Sequence, residues 1–568
     1  MLMGIVIFLV VVVIFFYIYD KYIQREHQLL TNYPIIGRFR YVFEEFREPL
    51  RQYFGDEKFY ESKDKLDWVY KASKDLPNYA SFSPAQPLPK PKFLLKHTNI
   101  VLNDDEVSDD FSITIGDSRA KPYHSKSIIV RSAMSDGAIS PEGTRAFVKG
   151  SYRGGFAINS GEGSITTNFF ITHKSYTDEY MSIIKVPKTR ASTYKTIDKY
   201  LGGYLAIKYL RKVMFNGAEV AQTYFLDQDK MQFYRPNWDV PLESFPQDVP
   251  SDMPDIIWQI SSSLNGCRTK DGKFDPLRYQ KVMRFCRMSE IKLAQGAKQT
   301  GGKLTANKVT ESIAYYRGIE AHKDMFAPNR FPYASSVEEL YDFIGQLQEL
   351  SDKPVGIKIV VSTYDSVAPF AKEIKKRLDS GDSRYPDYIA IDGGSGGSAT
   401  APLDMMERIG LNIKDSIYLA DKVLREHGVR DRVKLSASGK ILTPDDVVIT
   451  LAIGADFVQI GRGFMMSAGC IRARYCSGST GRACPVGLAT QDEGKRAGYL
   501  VYKYADYVKN YHNNILKGIQ SLLAVMGLKH YKELSKDNLL FIDRDNRVHD
   551  DIEKIFEENL DLKGKEIA

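Results

Sequence analysis

Three cysteines near the end of the chain are spaced closely enough to bind one metal centre together. Cys470, Cys476 and Cys484 lie within 15 residues, and the 568-residue chain has only two other cysteines. A closed zinc site normally needs four ligands, and no histidine lies nearby, whereas three thiolates suit an iron–sulfur cluster of the three-iron kind. Three unligated thiols are the alternative. Cys267 and Cys286 are isolated and are expected to be small buried hydrophobic residues.

Three glycine-rich turns indicate a phosphate site. They are IDGGSGGSA (391–399), SASGKI (436–441) and QIGRGFM (459–465). Glycine lets backbone N–H groups approach a phosphate closely, and one kind of barrel binds phosphate in the loops after its last two strands. The residues that fit this position are Gly439, Lys440, Gly461 and Arg462. Each turn alone is more typical of a tight loop, but three in order favour a phosphorylated cofactor, with FMN the commonest fit.

A lysine at the end of an apolar run could tune such a cofactor. Lys292 stands in MSEIKLAQGAK (288–298), with Gln295 three residues later. A cation near the N1/C2 edge of a flavin stabilises the reduced anionic ring. Burial of a lysine on an inward strand face is costly without such a partner. The alternative is a rim lysine that extends to solvent.

Eight apolar runs that alternate with helix-like stretches would position these residues. They are SIIVRSA (127–133), FAIN (156–159), DIIWQIS (255–261), SEIKLAQ (289–295), VGIKIVV (355–361), DYIAID (387–392), RVKLSA (432–437) and ADFVQIG (455–461). Eight strand–helix units predict an α/β fold, the (β/α)8 TIM barrel, with its site at the C-terminal rim of the strands. An open doubly wound sheet is the alternative.

A large insertion is expected after the second strand, at about residues 165–254. It contains the basic helical stretch KTIDKYLGGYLAIKYLRKVM (195–214). Such a stretch could bind an anionic membrane surface or a partner. A solvated helical excursion is the interpretation that the sequence alone favours.

The N-terminus predicts a membrane anchor. Leu2 to Tyr19 is 18 residues without a charge, which as a helix is about 27 Å long and close to the thickness of a bilayer core. A signal peptide or a buried core helix is the alternative, but neither a basic start nor a small-residue cleavage site is present. Basic residues follow the run, so the expected location is the cytoplasmic membrane, single-pass, with the body in the cytoplasm.

Composition and charge exclude several classes. Hydrophobic residues make up 43% and charged residues 26%, which is ordinary for a globular protein. The net charge of +7 is not concentrated in a basic tail and does not favour a nucleic-acid partner. We expect an anchor at 1–20, an N-terminal helical and extended region at 21–124, the barrel at 125–510 and a C-terminal helical region at 511–568. Within 21–124, helical spacing runs through Phe43, Phe46, Leu50 and Phe54, and Pro84, Pro87, Pro89 and Pro91 indicate a linker.

Taken together, the motifs resemble the FMN-binding synthase domain of glutamate synthase. The motifs in order are AMSDGAIS (133–140), NSGEGS (159–164), EIKLAQGAK (290–298), IDGGSGG (391–397) and GCIRARYC…CPVGLATQD (469–492). The segments NYPIIGRFRYVFEEFREPLRQYF (32–54) and KFLLKHTNIVLND (92–104) are similar to the stand-alone, membrane-anchored branch of that family.

The resemblance implies a reaction and a set of site residues. In that family 2-iminoglutarate, formed from 2-oxoglutarate and ammonia, is reduced to glutamate by FMN, and electrons reach the flavin through a [3Fe–4S] cluster. Lys292 and Gln295 would contact flavin and substrate, Glu162 would carry a proton, and the three clustered cysteines would ligate the iron. The flavin-binding residues would be Ala133, Met134, Ser135, Gln259, Lys292, Gly393, Gly394, Gly396, Gly397, Ser438, Gly439, Lys440, Gly461 and Arg462.

The sequence also departs from the family, which leaves the substrate open. Phe331 stands where a histidine is usual, Asp136 replaces an aromatic residue, and seven residues separate Cys476 from Cys484 where four are usual. No glutamine amidotransferase or dinucleotide-binding domain is evident, so ammonia and electrons are expected from outside, the electrons from a ferredoxin-like protein or a membrane donor. An FMN and iron–sulfur oxidoreductase for another substrate, or a non-catalytic membrane-anchored barrel scaffold, is the alternative.

Overall fold

The computed structural model describes most of the chain in two units. It describes residues 2–24, 30, 33–39, 42, 46, 62–79, 90–171, 176–296, 303–304, 306–398, 401–402, 404–477 and 482–560. One unit is Met1–Lys63 with Ile471–Ala473, and the other is Asp64–Cys470 with Arg474–Ala568. The helical spacing expected at Phe43, Leu50 and Phe54 and the prolines expected to form a linker at 84, 87 and 89 lie outside the described residues.

The second unit contains a closed barrel of eight parallel strands. In chain order they are β1 (Ile129–Arg131), β2 (Ile158–Asn159), β3 (Ile256–Ile260), β4 (Met288–Lys292), β5 (Val355–Ile359), β6 (Tyr388–Asp392), β7 (Lys434–Ser438) and β8 (Phe457–Ile460). Each strand pairs with its neighbour in sequence and β8 pairs with β1, which closes the ring. All eight predicted runs contain these strands or most of them, and the predicted TIM barrel is confirmed.

Helices cover the outside of the barrel, so that its strands are buried on both faces. Strands β3, β5 and β6 are buried at every position, as expected for a parallel sheet enclosed by helices. The helices that follow the strands are Pro141–Gly154, Pro276–Met283, Glu311–Arg317, Val337–Ser351, Ala368–Asp379, Ile413–Glu426, Pro444–Ile453, Arg462–Ser467 and Glu493–Arg496. Several begin at a side-chain cap, for example Ser140 and Asn412, whose oxygens accept hydrogen bonds from N–H groups of the first turn.

The expected insertion lies between β2 and β3 and forms a small α/β layer of its own. An antiparallel sheet has the strand order Met181–Lys185, Gln232–Pro236 and Phe225–Asp227. Two consecutive helices, Lys188–Leu201 and Gly203–Phe215, pack on it. A separate cluster of buried side chains, including Val186, Leu210 and Phe233, lies between helices and sheet.

Segments from both ends of this unit cover the barrel together. Strand Lys92–Leu95 pairs antiparallel with Leu539–Ile542, which pairs with Val548–His549. The long helix Val501–Met526 packs along helix Pro141–Gly154, and a Cβ on Gly150 would lie 2.5 Å from Val508 Cγ1. This helix runs across residue 510, where the sequence suggests a boundary. Further described helices are Lys63–Ser73 and Ile552–Asn559.

The first unit is dominated by one apolar helix. It spans Leu2–Ile18 and continues as a π-helical turn, Tyr19–Ile23. The segment Met3–Ile23 has a mean hydropathy of 2.6 and is long and apolar enough to cross a membrane. Asp20 is fully buried after it, where it accepts hydrogen bonds from Arg38 Nε at 2.9 Å and from the N–H of Ile35 at 3.0 Å.

Candidate functional site

The glycine turns meet at the C-terminal rim of the barrel. The N–H of Gly393, after β6, donates to the carbonyl of Ser438, at the end of β7, at 2.8 Å. The hydroxyl of Ser438 lies 3.4 Å from that of Ser132, which follows β1, and the N–H of Ser132 donates to Ile460 of β8 at 2.9 Å. The turns after four consecutive strands of the ring therefore meet at the rim, and we call the space between them the hollow.

Backbone donors face this hollow at the turns after β7 and β8. Among the described residues, the N–H groups of Gly439, Lys440 and Gly461 make no hydrogen bond within the protein. Gly439 has a φ of +146°, which favours glycine, and a Cβ on Gly461 would meet only Ser132 Cβ, at 3.8 Å. The ammonium of Lys440 pairs with Glu407 at 2.9 Å. Free amide donors at such a turn form an anion-binding concavity.

The turn after β6 supplies further glycines. The N–H of Gly396 donates to Gly393 at 2.8 Å, and that of Gly394 to Leu411 at 2.7 Å. The guanidinium of Arg462 lies 3.4 Å from where a Cβ on Gly397 would be. The structure thus brings the predicted phosphate residues of three turns together.

The loops after β1 and β2 lie in close contact beside them. Gly161 has a φ of +66°, and a Cβ there would lie 2.5 Å from the nitrogen of Ser135 and 2.7 Å from the carbonyl carbon of Met134. The segment Ala133–Ser135 therefore lies directly against the loop that carries Glu162.

Lys292 and Glu162 form an ion pair across the top of the barrel. Lys292 ends β4, and its Nζ donates to Glu162 Oε2 at 2.9 Å. The loop of Glu162 is fixed because Asn265 Nδ2 donates to its carbonyl at 2.8 Å. Gln295 Nε2 donates to the carbonyl of Gly397 at 3.4 Å, which joins the lysine strand to the glycine turn. The three predicted catalytic residues therefore share one side of the hollow.

A second lysine stands beside the first. Lys358 of β5 is in register with Lys292 of β4, and paired residues of parallel strands point to the same face. Its side chain is buried, at 7% exposure. Among the described residues, no hydrogen-bond or carboxylate partner meets its ammonium. A buried ammonium is costly without a counter-charge, so its position calls for an anionic group in the hollow.

A buried carboxylate lies one layer below the lysines. Glu290 precedes Lys292 by two residues and is fully buried inside the barrel. Its carboxylate accepts four hydrogen bonds. The donors are Gln259 Nε2 at 2.6 Å, Asn159 Nδ2 at 3.0 Å, Gln459 Nε2 at 3.1 Å and Tyr388 Oη at 3.2 Å. The amide of Gln259, a predicted flavin residue, is thus directed to Glu290 in this structure.

A buried arginine lies behind Glu162. Arg317 is 5% exposed, and its Nη2 donates to the carbonyl of Asp136 at 3.4 Å. Burial lowers the pKa of Arg317, which the charges of Glu162 and Asp136 partly offset. Glu162 therefore interacts electrostatically with two cations, Lys292 and Arg317.

Asp136 and Phe331, which depart from the family pattern, both have structural partners. Asp136 is 2% exposed and accepts hydrogen bonds from Asn168 Nδ2 at 2.7 Å and from the hydroxyl of Thr166, both at the start of the insertion. Burial raises the pKa of Asp136, and these donors oppose that rise. Phe331 is 2% exposed and packs 5.6 Å from the ring of Phe343. Asp136 holds the insertion, and Phe331 belongs to an aromatic cluster.

Cys484 lies near Cys476, and Cys470 and Cys484 both lie near Tyr499. Cys484 is buried and Cys470 and Cys476 are partly buried. Burial and the neighbouring Cys484 raise the pKa of the Cys476 thiol. Burial also raises the pKa of Tyr499, and the charges of Cys470 and Cys484 add to that rise. Lys308 Nζ donates to the carbonyl of Ser477 at 3.1 Å.

The other two cysteines, Cys267 and Cys286, are fully buried elsewhere, as the sequence predicts.

Sequence reasoning did not single out Lys358, Glu290 or Asp392, whose Oδ2 accepts a hydrogen bond from the N–H of Gly296 at 3.0 Å. The available signal was a charged residue inside an apolar strand-like run, as in VGIKIVV and DYIAID. That signal does not say which face of the strand the charge occupies.

Comparisons with known proteins identify relatives over nearly the whole chain. A family model described as the conserved region in glutamate synthase matches residues 85–529. The glutamate synthase large subunit-like protein YerD of Bacillus subtilis (strain 168) is 28% identical over 96% of this chain and 97% of its own. An archaeal-type glutamate synthase [NADPH] of Thermotoga sp. (strain RQ2) is 33% identical over 43% of this chain and 50% of its own. Among solved structures, the flavin-binding domain of baker's yeast flavocytochrome b2 is similar at 12% identity, with 90% of this chain and 89% of that chain covered and a TM-score of 0.39.

Proposed function

Because the chain belongs to the glutamate synthase family, we propose that it is an oxidoreductase that reduces 2-iminoglutarate, formed from 2-oxoglutarate and ammonia, to glutamate. It uses FMN and a [3Fe–4S] cluster, and its N-terminal helix anchors it in the cytoplasmic membrane with the barrel in the cytoplasm. Electrons come from a ferredoxin-like protein or a membrane donor.

One observation carries the flavin assignment. Lys358 is buried without a described partner near the C-terminal end of β5, at the same rim of the barrel as the free N–H groups of Gly439, Lys440 and Gly461. FMN offers an anionic phosphate for the amides and an anionic reduced ring for a lysine. The residues present therefore fit this cofactor at both of its ends. Bound FMN would supply the hydride that reduces the imine carbon.

The remaining steps belong to side chains of this chain. Reduction of an imine to an amine consumes one hydride at carbon and one proton at nitrogen. Glu162 is one-third exposed and receives a hydrogen bond from Lys292, so it can exchange protons with water and deliver one inside the hollow. Lys292 holds Glu162 in position, and the Lys358 and Lys292 ammonium groups favour the binding of an anionic dicarboxylate substrate.

Three thiols and nearby cations support the cluster. Cys470, Cys476 and Cys484 supply three sulfur ligands, the number that a three-iron cluster needs. Burial and Cys484 raise the pKa of the Cys476 thiol, and the charges of Lys308 and Arg474, which lie nearby, oppose that rise. Cationic groups of this kind offset the negative charge of a thiolate-ligated cluster.

The membrane and the substrate are parts of the same proposal. Met3–Ile23 is the segment that would cross the bilayer. We keep the division into anchor, N-terminal region, barrel and C-terminal region, except that helix Val501–Met526 crosses the boundary suggested at residue 510. Asp136 and Phe331 have partners in the fold, so neither residue gives specific support to another substrate or to a scaffold without activity.

The experiment is anaerobic purification of the full chain in detergent. We expect the absorption of bound flavin and, after mild oxidation, the electron paramagnetic resonance signal of a three-iron cluster. Chemically reduced protein mixed with 2-oxoglutarate and ammonium should reoxidise its flavin and release glutamate, and either reactant alone should not. A folded protein without flavin would overturn the whole proposal. A flavoprotein whose reduced flavin is reoxidised neither by 2-oxoglutarate with ammonium nor by authentic iminoglutarate would overturn the proposed substrate.

A further inference from the structure

The insertion carries the charge surplus of the whole chain. Between residues 185 and 218 there are eight cations and one carboxylate, Asp198, so this stretch alone has a formal charge of +7, equal to that of the entire chain. The cations are Lys185, Lys188, Arg190, Lys195, Lys199, Lys208, Arg211 and Lys212. Such a local excess is an electrostatic attraction site for an anionic surface.

The structure folds this stretch into a helical hairpin with an uncovered apolar tip. Helices Lys188–Leu201 and Gly203–Phe215 meet at Gly202, where an added Cβ would have no atom within 4 Å. At the tip, Tyr200 is 71% exposed, Leu201 is 66% exposed and Leu205 is 45% exposed. Large apolar side chains grouped at a protruding tip indicate a contact with an apolar medium or partner.

The apolar tip does not belong to the buried cluster of the insertion, which another face of the hairpin completes. Tyr194, Ala206 and Leu210 are buried against the insertion sheet. That face of the hairpin is already packed against the sheet, and the apolar residues at the tip lie beyond this contact. The helices are thus amphipathic along their length and apolar at their junction.

Lysines surround the apolar tip. Lys195, Lys199 and Lys208 are exposed, and the ammonium groups of Lys199 and Lys208 lie 5.1 and 5.7 Å from the ring centres of Tyr200 and Tyr204. Tyrosine with lysine is the combination that suits the boundary between headgroups and acyl chains, where the ring sits at the interface and the ammonium meets phosphate.

We propose that the tip of this hairpin, residues 199–205, inserts into the headgroup region of an anionic lipid bilayer, with Lys195, Lys199 and Lys208 on lipid phosphates. The contact is a second membrane attachment of the protein, independent of helix Met3–Ile23. An acidic soluble protein would meet the lysines but leave Leu201 and Leu205 without an apolar environment, which is why the bilayer is the favoured partner. The insertion then orients the barrel on the membrane instead of only adding bulk to it.

The test uses the full chain in nanodiscs with a reporter at the tip. A Leu201→Trp variant is placed in phosphatidylcholine discs and in discs containing one-third phosphatidylglycerol, each made with and without brominated acyl chains, which quench tryptophan on contact. We expect strong quenching in the anionic discs, weaker quenching in the neutral ones, and reversal by salt. The control reporter is Leu277→Trp, on helix Pro276–Met283, where Leu277 is 49% exposed; it should not be quenched in either disc.

A charge variant gives a second reading. The triple substitution Lys195→Gln, Lys199→Gln, Lys208→Gln, combined with Leu201→Trp, should abolish the difference between anionic and neutral discs, since each lysine near such a surface contributes about fivefold to binding. Circular dichroism and the melting temperature should match those of the parent chain. Equal emission of the Leu201 reporter in brominated and unbrominated anionic discs, with the protein folded, would overturn the proposal and assign the charge to a soluble acidic partner.

Discussion

Lys292 and Lys358 stand opposite each other on neighbouring strands of the barrel, yet only Lys292 has a carboxylate partner among the described residues. Two like charges placed side by side at a rim repel each other. One glutamate, Glu162, compensates one of them. The two lysines therefore have one negative charge too few around them. Such an excess of positive charge favours the binding of an anionic cofactor and an anionic substrate.

Replacing Lys358 should have opposite effects on stability and on flavin binding. In Lys358→Met the cost of a buried, unpaired ammonium disappears, so the free energy of unfolding of the flavin-free protein should rise by about 1–3 kcal/mol. The affinity for FMN should fall by about 10- to 100-fold, since a hydrogen bond to a charged group is lost. Denaturant titration and fluorescence titration with FMN measure the two quantities.

The matched control for this variant is Lys434→Met, at the opposite end of a barrel strand. It should leave FMN affinity unchanged. If Lys358→Met lost stability and kept its flavin, the lysine would be a structural residue and the unpaired charge would have no bearing on the cofactor.

Glu162→Gln should lower turnover without removing the flavin. The amide keeps the shape of the side chain and a hydrogen bond from Lys292, but it cannot carry a proton. Proton delivery by a positioned side chain is worth about 10²–10⁴-fold, so the rate of glutamate formation should fall by that factor with an unchanged flavin spectrum. Glu557→Gln, which breaks a Lys422–Glu557 pair of similar exposure at 2.7 Å, should keep full activity. Equal rates for Glu162→Gln and the parent would exclude Glu162 as the proton carrier.

Each of the three clustered cysteines should be needed for the iron signal. Cys470→Ser, Cys476→Ser and Cys484→Ser should each abolish the electron paramagnetic resonance signal of the three-iron cluster while flavin remains bound. Cys267→Ala, at a fully buried thiol outside the cluster, should keep it. A full signal in any one of the three serine variants would remove that cysteine from the ligand set.

Asp136 should matter for stability and not for substrate choice. In Asp136→Ala the buried hydroxyl of Thr166 and the partly buried amide of Asn168 lose their acceptor, which should lower the free energy of unfolding by about 2–5 kcal/mol. At permissive temperature the KM for 2-oxoglutarate should stay the same. The control Asp248→Ala removes a carboxylate that is 88% exposed and should change stability by less than about 0.5 kcal/mol. A shifted KM with unchanged stability would instead make Asp136 a specificity residue.

His512 should make the protein sensitive to mild acid. It is fully buried against Phe156 and Ser127, and burial lowers its pKa from 6.5 to about 4. As pH falls below about 6.5 the unfolded chain takes up a proton that the folded chain refuses, so stability decreases until about pH 4 and no further below it. Between about pH 7 and pH 5 this residue should remove about 2 kcal/mol. His512→Gln should show a shallower loss over the same range in denaturant titrations; parallel curves would disprove the assignment.

The sequence could predict the barrel because each strand is a short apolar run enclosed by turns. A strand buried on both faces needs no partner information to be recognised, and all eight runs were identifiable for that reason. The order of glycine turns, the lysine motif and the cysteine cluster also follow from the sequence, since they are local patterns. The insertion followed from length alone, because roughly 95 residues cannot be a single crossover.

Other features depend on distances between segments far apart in the chain, which no local pattern encodes. That Lys358 lies beside Lys292 follows from the register between β4 and β5, and that Glu290 receives four donors follows from closure of the ring. The sequence alone favoured a solvated helical excursion at residues 195–214, and it is the exposed apolar tip of the folded hairpin that supports the proposed membrane contact. Residue types and their spacing thus determined which chemical groups the chain can offer. Strand register and burial decided where those groups come together, because they set the energetic cost of each buried charge.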